Sequence, residues 1–218
     1  MRSLAQPEVL KGAAIAALGS SLACYPRLFL WANRPQSLWY LELVLFLCGI
    51  VLWAFVFGWH AKYTRRPVFT FKVGLVPFLG ATGSGLASAL ALHFWLDPSL
   101  RWRTPEDYPT SVERWLALTL FTLTFTQLYL IFAAFDWFMR LFQNTGMAAL
   151  LTVLFGVFVL VIKTHASPTP MPTTLLLGLL AARLAIGSLS VYFYLQGGVL
   201  LAWWWAFLLQ SRHLWKLL

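Results

Sequence analysis

An all-α bundle of about seven transmembrane helices, forming a single domain over residues 1–218, is predicted by three observations. Charged residues are 11% of the chain, less than half of the roughly 25% found in soluble domains. Hydrophobic residues make up 60% and aromatic residues 17%. Apolar stretches recur along the chain at the length needed to cross a bilayer, roughly 20 residues at 1.5 Å rise each. The net charge of +9 sits mostly in short loops, as membrane orientation requires, and no basic tail or module could track phosphates, which argues against nucleic acid as a partner. Cys24 and Cys48 both fall in apolar segments. They form neither a disulfide framework nor a CxxC metal site and are expected to be small buried hydrophobes.

The first helix is expected over residues 8–31. It is apolar to Cys24 and then meets Pro26, which breaks or kinks a helix. The run from Lys11 to Cys24 has the outline of a signal peptide, but Ser21 stands where a lipoprotein cleavage box has Leu, so the segment is expected to remain as structure. Residues 38–59 form the cleanest span, with Trp39 and Tyr40 at one end and Trp59 at the other, as an interfacial aromatic belt requires. Glu42 lies about one turn inside it. A basic loop over residues 60–72 comes next. Residues 73–95 are rich in small side chains, with Gly80/Ser84, Ala81/Gly85 and Gly83/Ala87 four apart, which lets backbones approach and predicts a central, tightly packed helix. Gly83-Ser84-Gly85 could suggest a rhomboid-type serine nucleophile, but no histidine is placed mid-helix as its base.

A polar loop over residues 97–110 leads to a helix over residues 115–139. A tight connection at 143–146 precedes a helix over residues 147–162, and the proline-rich segment 163–172 must be loop. A helix over residues 173–195 is broken by Gly197-Gly198, and the last helix covers residues 199–215. Basic residues place the loop after the second helix in the cytoplasm of what is expected to be a bacterial inner membrane. Arg140 inside and Lys163 outside agree with that orientation. Arg212 and Lys216 disagree if both final helices span, so either one of them does not span or packing overrides the charge rule.

The helix over residues 115–139 organises the rest. At helical spacing Thr119, Thr122, Thr126, Tyr129, Ala133 and Asp136 share one face, with Gln127 beside them. Such a polar stripe should look at other helices rather than lipid. Arg183 is the sharpest anomaly, because a positive charge at mid-bilayer costs a few kcal/mol and is usually paired or wet. Glu42 matches it in depth to within about two turns, so the two are expected to form a buried ion pair, or else to contact a ligand or a proton. Asp136 and Arg140, four apart near the cytoplasmic helix end, are expected to pair locally.

His93, His165 and His213 fall near helix ends on the outer side. Three imidazoles at one depth could bind zinc, haem or another tetrapyrrole or pigment, although each also sits beside a loop where a solvated histidine is ordinary. No cofactor is predicted from them. Trp203-Trp204-Trp205 places rings around most of the last helix, so it cannot be a core face alone. It fits lipid headgroups, an apolar polycyclic or polyene ligand, or a partner subunit.

From the fourth helix onward the order of pieces resembles the CPBP intramembrane protease family (CAAX proteases and bacteriocin-processing enzymes). Thr126-Gln127-Leu128-Tyr129-Leu130 stands at the place of that family's glutamate pair. Gly146-Met147-Ala148-Ala149-Leu150-Leu151 through Leu154-Phe155-Gly156 is similar to its next helix. Leu175-Leu176-Leu177-Gly178-Leu179-Leu180 and Gln196-Gly197-Gly198 are similar to the segment leading to its last helix. The resemblance implies a protease-like scaffold without its catalytic groups, since Thr126 and Gln127 replace the carboxylates and Val159 stands where a histidine is expected. Neither threonine nor glutamine acts as a general base at neutral pH.

Three functions are expected on these grounds. The first is a non-catalytic accessory or assembly subunit that packs against another integral-membrane protein, with lipid or pigment at the interface. The second is an intramembrane hydrolase of atypical chemistry, which requires Glu42, Asp136 or the histidines to converge in one cavity. The third is a small lipid or ligand carrier in which Arg183 holds an anionic group.

Overall fold

The computed structural model describes residues 6–31, 37–64, 67–166 and 171–217. Among them it is helical nearly throughout, and six helical stretches are long and apolar enough to cross a membrane. The protein is an integral-membrane helical bundle. Helix α1 (Pro7–Trp31) begins with proline in its first turn and Glu8 beside it, and passes through Pro26 without ending there. Helix α2 (Leu38–Thr64) runs past its expected end at residue 59. Lys62 occupies its last turn, where positive charge complements the helix dipole, and the Thr64 hydroxyl donates to the His60 carbonyl at 2.7 Å. His60 is therefore a helical residue, not a loop residue.

Helix α3 (Leu75–Trp95) is followed directly by the short α4 (Asp97–Arg103), a helix inside the segment expected to be a loop. Helix α5 (Val112–Phe142) is opened by Ser111, whose hydroxyl accepts from the Arg114 amide. It carries two successive π-helical turns, Thr122–Thr126 and Leu128–Phe132. Helix α6 (Thr145–His165) is opened by the Asn144 side chain, which accepts from the Met147 amide at 3.0 Å. Helix α7 (Thr173–Gln210) continues as a 3-10 turn, Ser211–Lys216.

Inside α7 the helix breaks at the expected place. Gly197 has φ −144°, and Gly198 has φ 68° and ψ −160°, a conformation that L side chains rarely adopt. A Cβ on Gly198 would lie 2.7 Å from the Val68 carbonyl oxygen, which also accepts from the Val199 amide at 3.2 Å. The chain turns back there. Ala182 and Gln210 line one cavity, whereas a straight helix would hold them about 42 Å apart. Across the break Phe193 and Trp205 meet with ring centroids 6.1 Å apart. The second arm, residues 199–216, runs beside α3 from Phe78, stacked on Trp204, to His93, against Trp215. Both arms therefore cross the bundle, and Arg212 and Lys216 end on the same side as α4.

Two cores result. One joins α1, α2 and α5 to the break in α7 through Trp53, Val56, Leu128, Phe132, Tyr194 and Val199. The other joins α3 to both arms of α7 through Ala81, Leu92, Phe193, Leu201 and Trp205. Small residues set the closest approaches, but α3 is a peripheral helix rather than the expected central one: of its three small-residue pairs only Ala81/Gly85 packs inward, while Gly80, Gly83 and Ala87 are exposed. A Cβ on Gly49 of α2 would meet the Ala17 Cβ of α1 at 3.2 Å, and one on Gly85 of α3 would meet the Leu208 Cβ at 3.0 Å. Cys24 is buried as expected, 3.4 Å from the Thr124 hydroxyl, but Cys48 is exposed on α2.

Candidate functional site

Polar side chains gather at two centres inside the bundle. The larger is a cavity of about 310 Å³ between α3, α4, α5, α6 and the two arms of α7. Leu92, Leu96, Leu160, Leu179 and Ile186 give it apolar walls, and Thr122, Thr126, Gln127, Gln210 and Arg183 give it polar ones. Asp97 and Arg212 also line it.

Arg183 lies against α6 at Gly156, whose carbonyl accepts from its Nε at 3.2 Å. Glycine makes room for this contact, since a Cβ on residue 156 would sit 2.7 Å from Nη2. Nη2 itself is buried and has no hydrogen-bond partner among the described residues. Glu42 does not pair with Arg183. Its Oε1 instead accepts from the Ser21 hydroxyl at 2.6 Å, in the seam between α1 and α2. The expected pair fails because the two residues face different seams of the bundle. Helix α5 stands between them, touching α1 on one side, where Thr124 meets Cys24, and lining the Arg183 cavity with Thr122 and Thr126 on the other.

Asp97, at the start of α4, is buried, with an ion-pair contact on one oxygen and a hydrogen bond on the other. Its Oδ2 lies 3.4 Å from Arg212 Nε, and its Oδ1 accepts from the Tyr108 hydroxyl at 2.9 Å. The Arg101 guanidinium lies over the Tyr108 ring, 4.9 Å from its centroid. Burial, reinforced by the Asp97 carboxylate, pushes the Tyr108 phenol well above its ordinary titration range, so it remains a donor. With Asp97 committed to Arg212, the cavity holds two guanidinium groups against one carboxylate, and Arg183 is the uncompensated one.

The second centre is not visible in the sequence pattern. Asp136 is 0% exposed, His60 1% and Tyr194 0%. The Tyr194 hydroxyl donates to Asp136 Oδ2 at 2.8 Å, and His60 Nδ1 lies 3.7 Å from Asp136 Oδ1. That second distance is too long for a hydrogen bond. The His60 and Tyr194 rings pack at 4.6 Å. Asp136 therefore pairs with groups on α2 and α7, and the local pair with Arg140 does not form, because Asp136 points into the core while Arg140 is exposed. A carboxylate and an imidazole do meet within the bundle, but the closed packing leaves no path for a substrate to reach them in this conformation.

The polar stripe of α5 is divided rather than continuous. Each π turn adds a residue to the helical repeat and rotates the residues beyond it. Thr119 is buried near the start of the helix, while Thr122, Thr126 and Gln127 line the Arg183 cavity. Tyr129 and Ala133 face a lateral apolar cleft beside Phe155, and Asp136 faces His60. Hydroxyls left over satisfy the backbone, as Thr122 does by donating to the Leu118 carbonyl at 2.8 Å.

The three histidines do not assemble. His93 packs on Trp215 and His213 on Tyr108, while His165, exposed at the end of α6, has its Nδ1 3.3 Å from the Val161 carbonyl. No cluster of three metal-ligating side chains (His, Cys, Asp or Glu) occurs among the described residues. The Trp203-Trp204-Trp205 run is one buried ring and two half-buried ones. Trp203 packs edge-on to Trp53, Trp204 stacks on Phe78 and donates to the Thr82 hydroxyl at 3.0 Å, and Trp205 is 0% exposed against Phe193. Each of the three rings finds an aromatic neighbour, while Trp203 and Trp204 keep part of their surface exposed. Comparison with protein-family models, with curated proteins and with solved structures finds no match to this chain.

Proposed function

We propose that this protein is a ligand-binding protein of the bacterial inner membrane that holds an anionic amphiphile in the Arg183 cavity. The observation that carries this reading is the Arg183 guanidinium, which lines a cavity inside the bundle and has a buried Nη2 without a partner among the described residues. An unmatched cation at that depth is unfavourable by a few kcal/mol, and a carboxylate or phosphate would remove the penalty through a charge-assisted, two-point contact. Gln127, Thr126 and Gln210 offer further polar contacts, and the leucine walls suit an acyl chain. The volume lies at the small end of ligand pockets, which suits a headgroup with a short buried length of chain.

The resemblance to the CPBP proteins supports the same reading. Thr126 and Gln127, at the place of the glutamate pair, line this cavity, where an amide and a hydroxyl favour binding over water activation. The accessory-subunit reading draws its outer surface from Trp203-Trp204-Trp205. With Trp205 buried and the other two rings packed on aromatic neighbours, the cavity is the stronger feature.

The test is displacement of a fluorescent fatty acid from the detergent-solubilised protein, with phosphatidylglycerol as a second competitor. Arg183→Leu should weaken binding at least tenfold, the scale of one charge-assisted bond of about 1.5–3 kcal/mol. Equal affinity in the variant and the parent protein would overturn the assignment.

A further inference from the structure

A second charged group of the bundle lies in a groove of its own. Between α1 and α2 runs a groove of about 480 Å³, walled by Leu22, Leu43 and the rings of Tyr25 and Trp39. Leu22 and Leu43 are exposed on its flanks, so it opens outward toward lipid. Ser21 and Glu42 form its polar strip, and Glu42 alone among the residues lining it carries a charge. Its Oε1 is held by Ser21, while Oε2 lies buried just beneath the groove wall with no hydrogen-bond partner among the described residues. A carboxylate in an apolar, lipid-facing groove requires a counter-charge.

The aromatic groups indicate the kind of counter-charge. Trp39 is 74% exposed and lies three residues before Glu42, so its ring and the carboxylate share one side of α2. Tyr25 stands beside it, ring centroids 6.4 Å apart, too close for a cation between the rings but leaving the outer face of Trp39 free. An indole face next to a carboxylate recognises an alkylated ammonium, through cation–π attraction on one side and charge on the other. Tryptophan at a helix end marks the headgroup level of the bilayer, where such ammonium groups occur. We propose that the α1–α2 groove binds the ammonium group of an amphiphile, with Glu42 as its counter-ion and Trp39 as its platform. The Leu22 and Leu43 flanks would receive the attached chain. This site is independent of the Arg183 cavity.

The probe is dodecyltrimethylammonium, titrated calorimetrically into the full chain in a neutral detergent, with Glu42→Gln, Trp39→Leu and Arg183→Leu in parallel. A lipid arm reconstitutes the same proteins into nanodiscs of phosphatidylcholine or phosphatidylglycerol and reads retained lipid by native mass spectrometry. Saturable binding is expected in the parent protein, weakened at least tenfold by Glu42→Gln, severalfold by Trp39→Leu, and unchanged by Arg183→Leu. Glutamine keeps an acceptor for Ser21, and Trp39 is an exposed side chain, so the second variant carries the test if the first does not fold. Phosphatidylcholine retained by the parent protein and lost in Glu42→Gln identifies a lipid headgroup as the source. Binding of the free cation with no retained lipid identifies a lipophilic cation instead. Equal affinity in the parent and Glu42→Gln proteins, or no saturable binding by either probe, overturns the proposal, as would a groove that is blocked by a copurifying protein helix.

Discussion

Around Asp136, side chains from three helices face one another and nothing else, whereas around Arg183 a guanidinium meets one carbonyl and a cavity. Both are single charges in the interior of a membrane bundle, and both come from residues that are rare in such positions. The difference lies in what closes over them. His60, Asp136 and Tyr194 sit where α2, α5 and the end of α7's first arm converge under the 67–68 segment, with Phe132 and Phe135 packed on the Tyr194 ring. Arg183 sits where α5 is loosened by π turns and α6 presents glycine. A charge with matched partners in a closed site holds helices together, and one left open to a cavity is available to a ligand.

The largest effect should come from removing the closed centre's carboxylate. Asp136→Ala leaves the Tyr194 hydroxyl buried without an acceptor and takes the carboxylate from beside the His60 ring, and removing one partner of a buried charged contact costs about 3–5 kcal/mol. A thermal melt in detergent should show a large fall in Tm, with binding of an anionic probe lost only in proportion to the unfolded fraction. A folded Asp136→Ala protein that has lost anion binding outright would show that the two centres are one site.

Next in size is Gly198→Ala, which places a Cβ 2.7 Å from the Val68 carbonyl at a φ of 68°. Strain of this kind costs about 1–3 kcal/mol. The obstacle is backbone, so relief requires the 67–68 segment to move away from α7. Hydrogen exchange at the Val199 amide, which donates to Val68, should rise before global unfolding does. Tyr194→Phe should be milder still. It removes one donor and leaves Asp136 Oδ2 unpaired, a penalty of about 1–3 kcal/mol that falls at the low end if a water enters. The melt should fall by less than half the shift seen for Asp136→Ala.

Much of the scaffold is legible in the sequence because it rests on composition and punctuation. The spans, the Gly197-Gly198 break and the small-residue face of α3 come from hydrophobic length, glycine and residue volume, which are local properties. The polar centres are less legible. His60 reads as a loop residue because Lys62 and the basic residues after it look like solvent, although a basic residue in a last helical turn is also what a continuing helix carries. The split of Thr119, Thr126, Tyr129 and Asp136 onto different neighbours depends on π turns, and nothing in Thr122 to Phe132 distinguishes a π turn from an α turn. Counting residues from the helix ends pairs Arg183 with Glu42, but which seam each one faces depends on where α5 packs. The Trp203-Trp204-Trp205 run reads as a surface because it wraps most of one helix, and the neighbours that bury Trp205 lie far off in the sequence or across the Gly197-Gly198 break.

The smallest change in stability should separate the two centres most sharply. At Gly156 a Cβ would lie 2.7 Å from Arg183 Nη2 and 2.9 Å from Nε. Unlike the clash at Gly198, this one meets the far end of a long, flexible side chain, which can swing into the adjoining cavity. Gly156→Ala therefore gives up the Arg183 bond to the residue 156 carbonyl, a loss of about 0.5–1.5 kcal/mol, partly offset by the better helix propensity of alanine, close to about 1 kcal/mol. Tm should stay nearly constant while affinity for a fluorescent fatty acid changes severalfold, because the guanidinium has moved relative to the cavity walls. A large drop in Tm with affinity unchanged would mean that Arg183 clamps α7 to α6, making it a structural charge like Asp136.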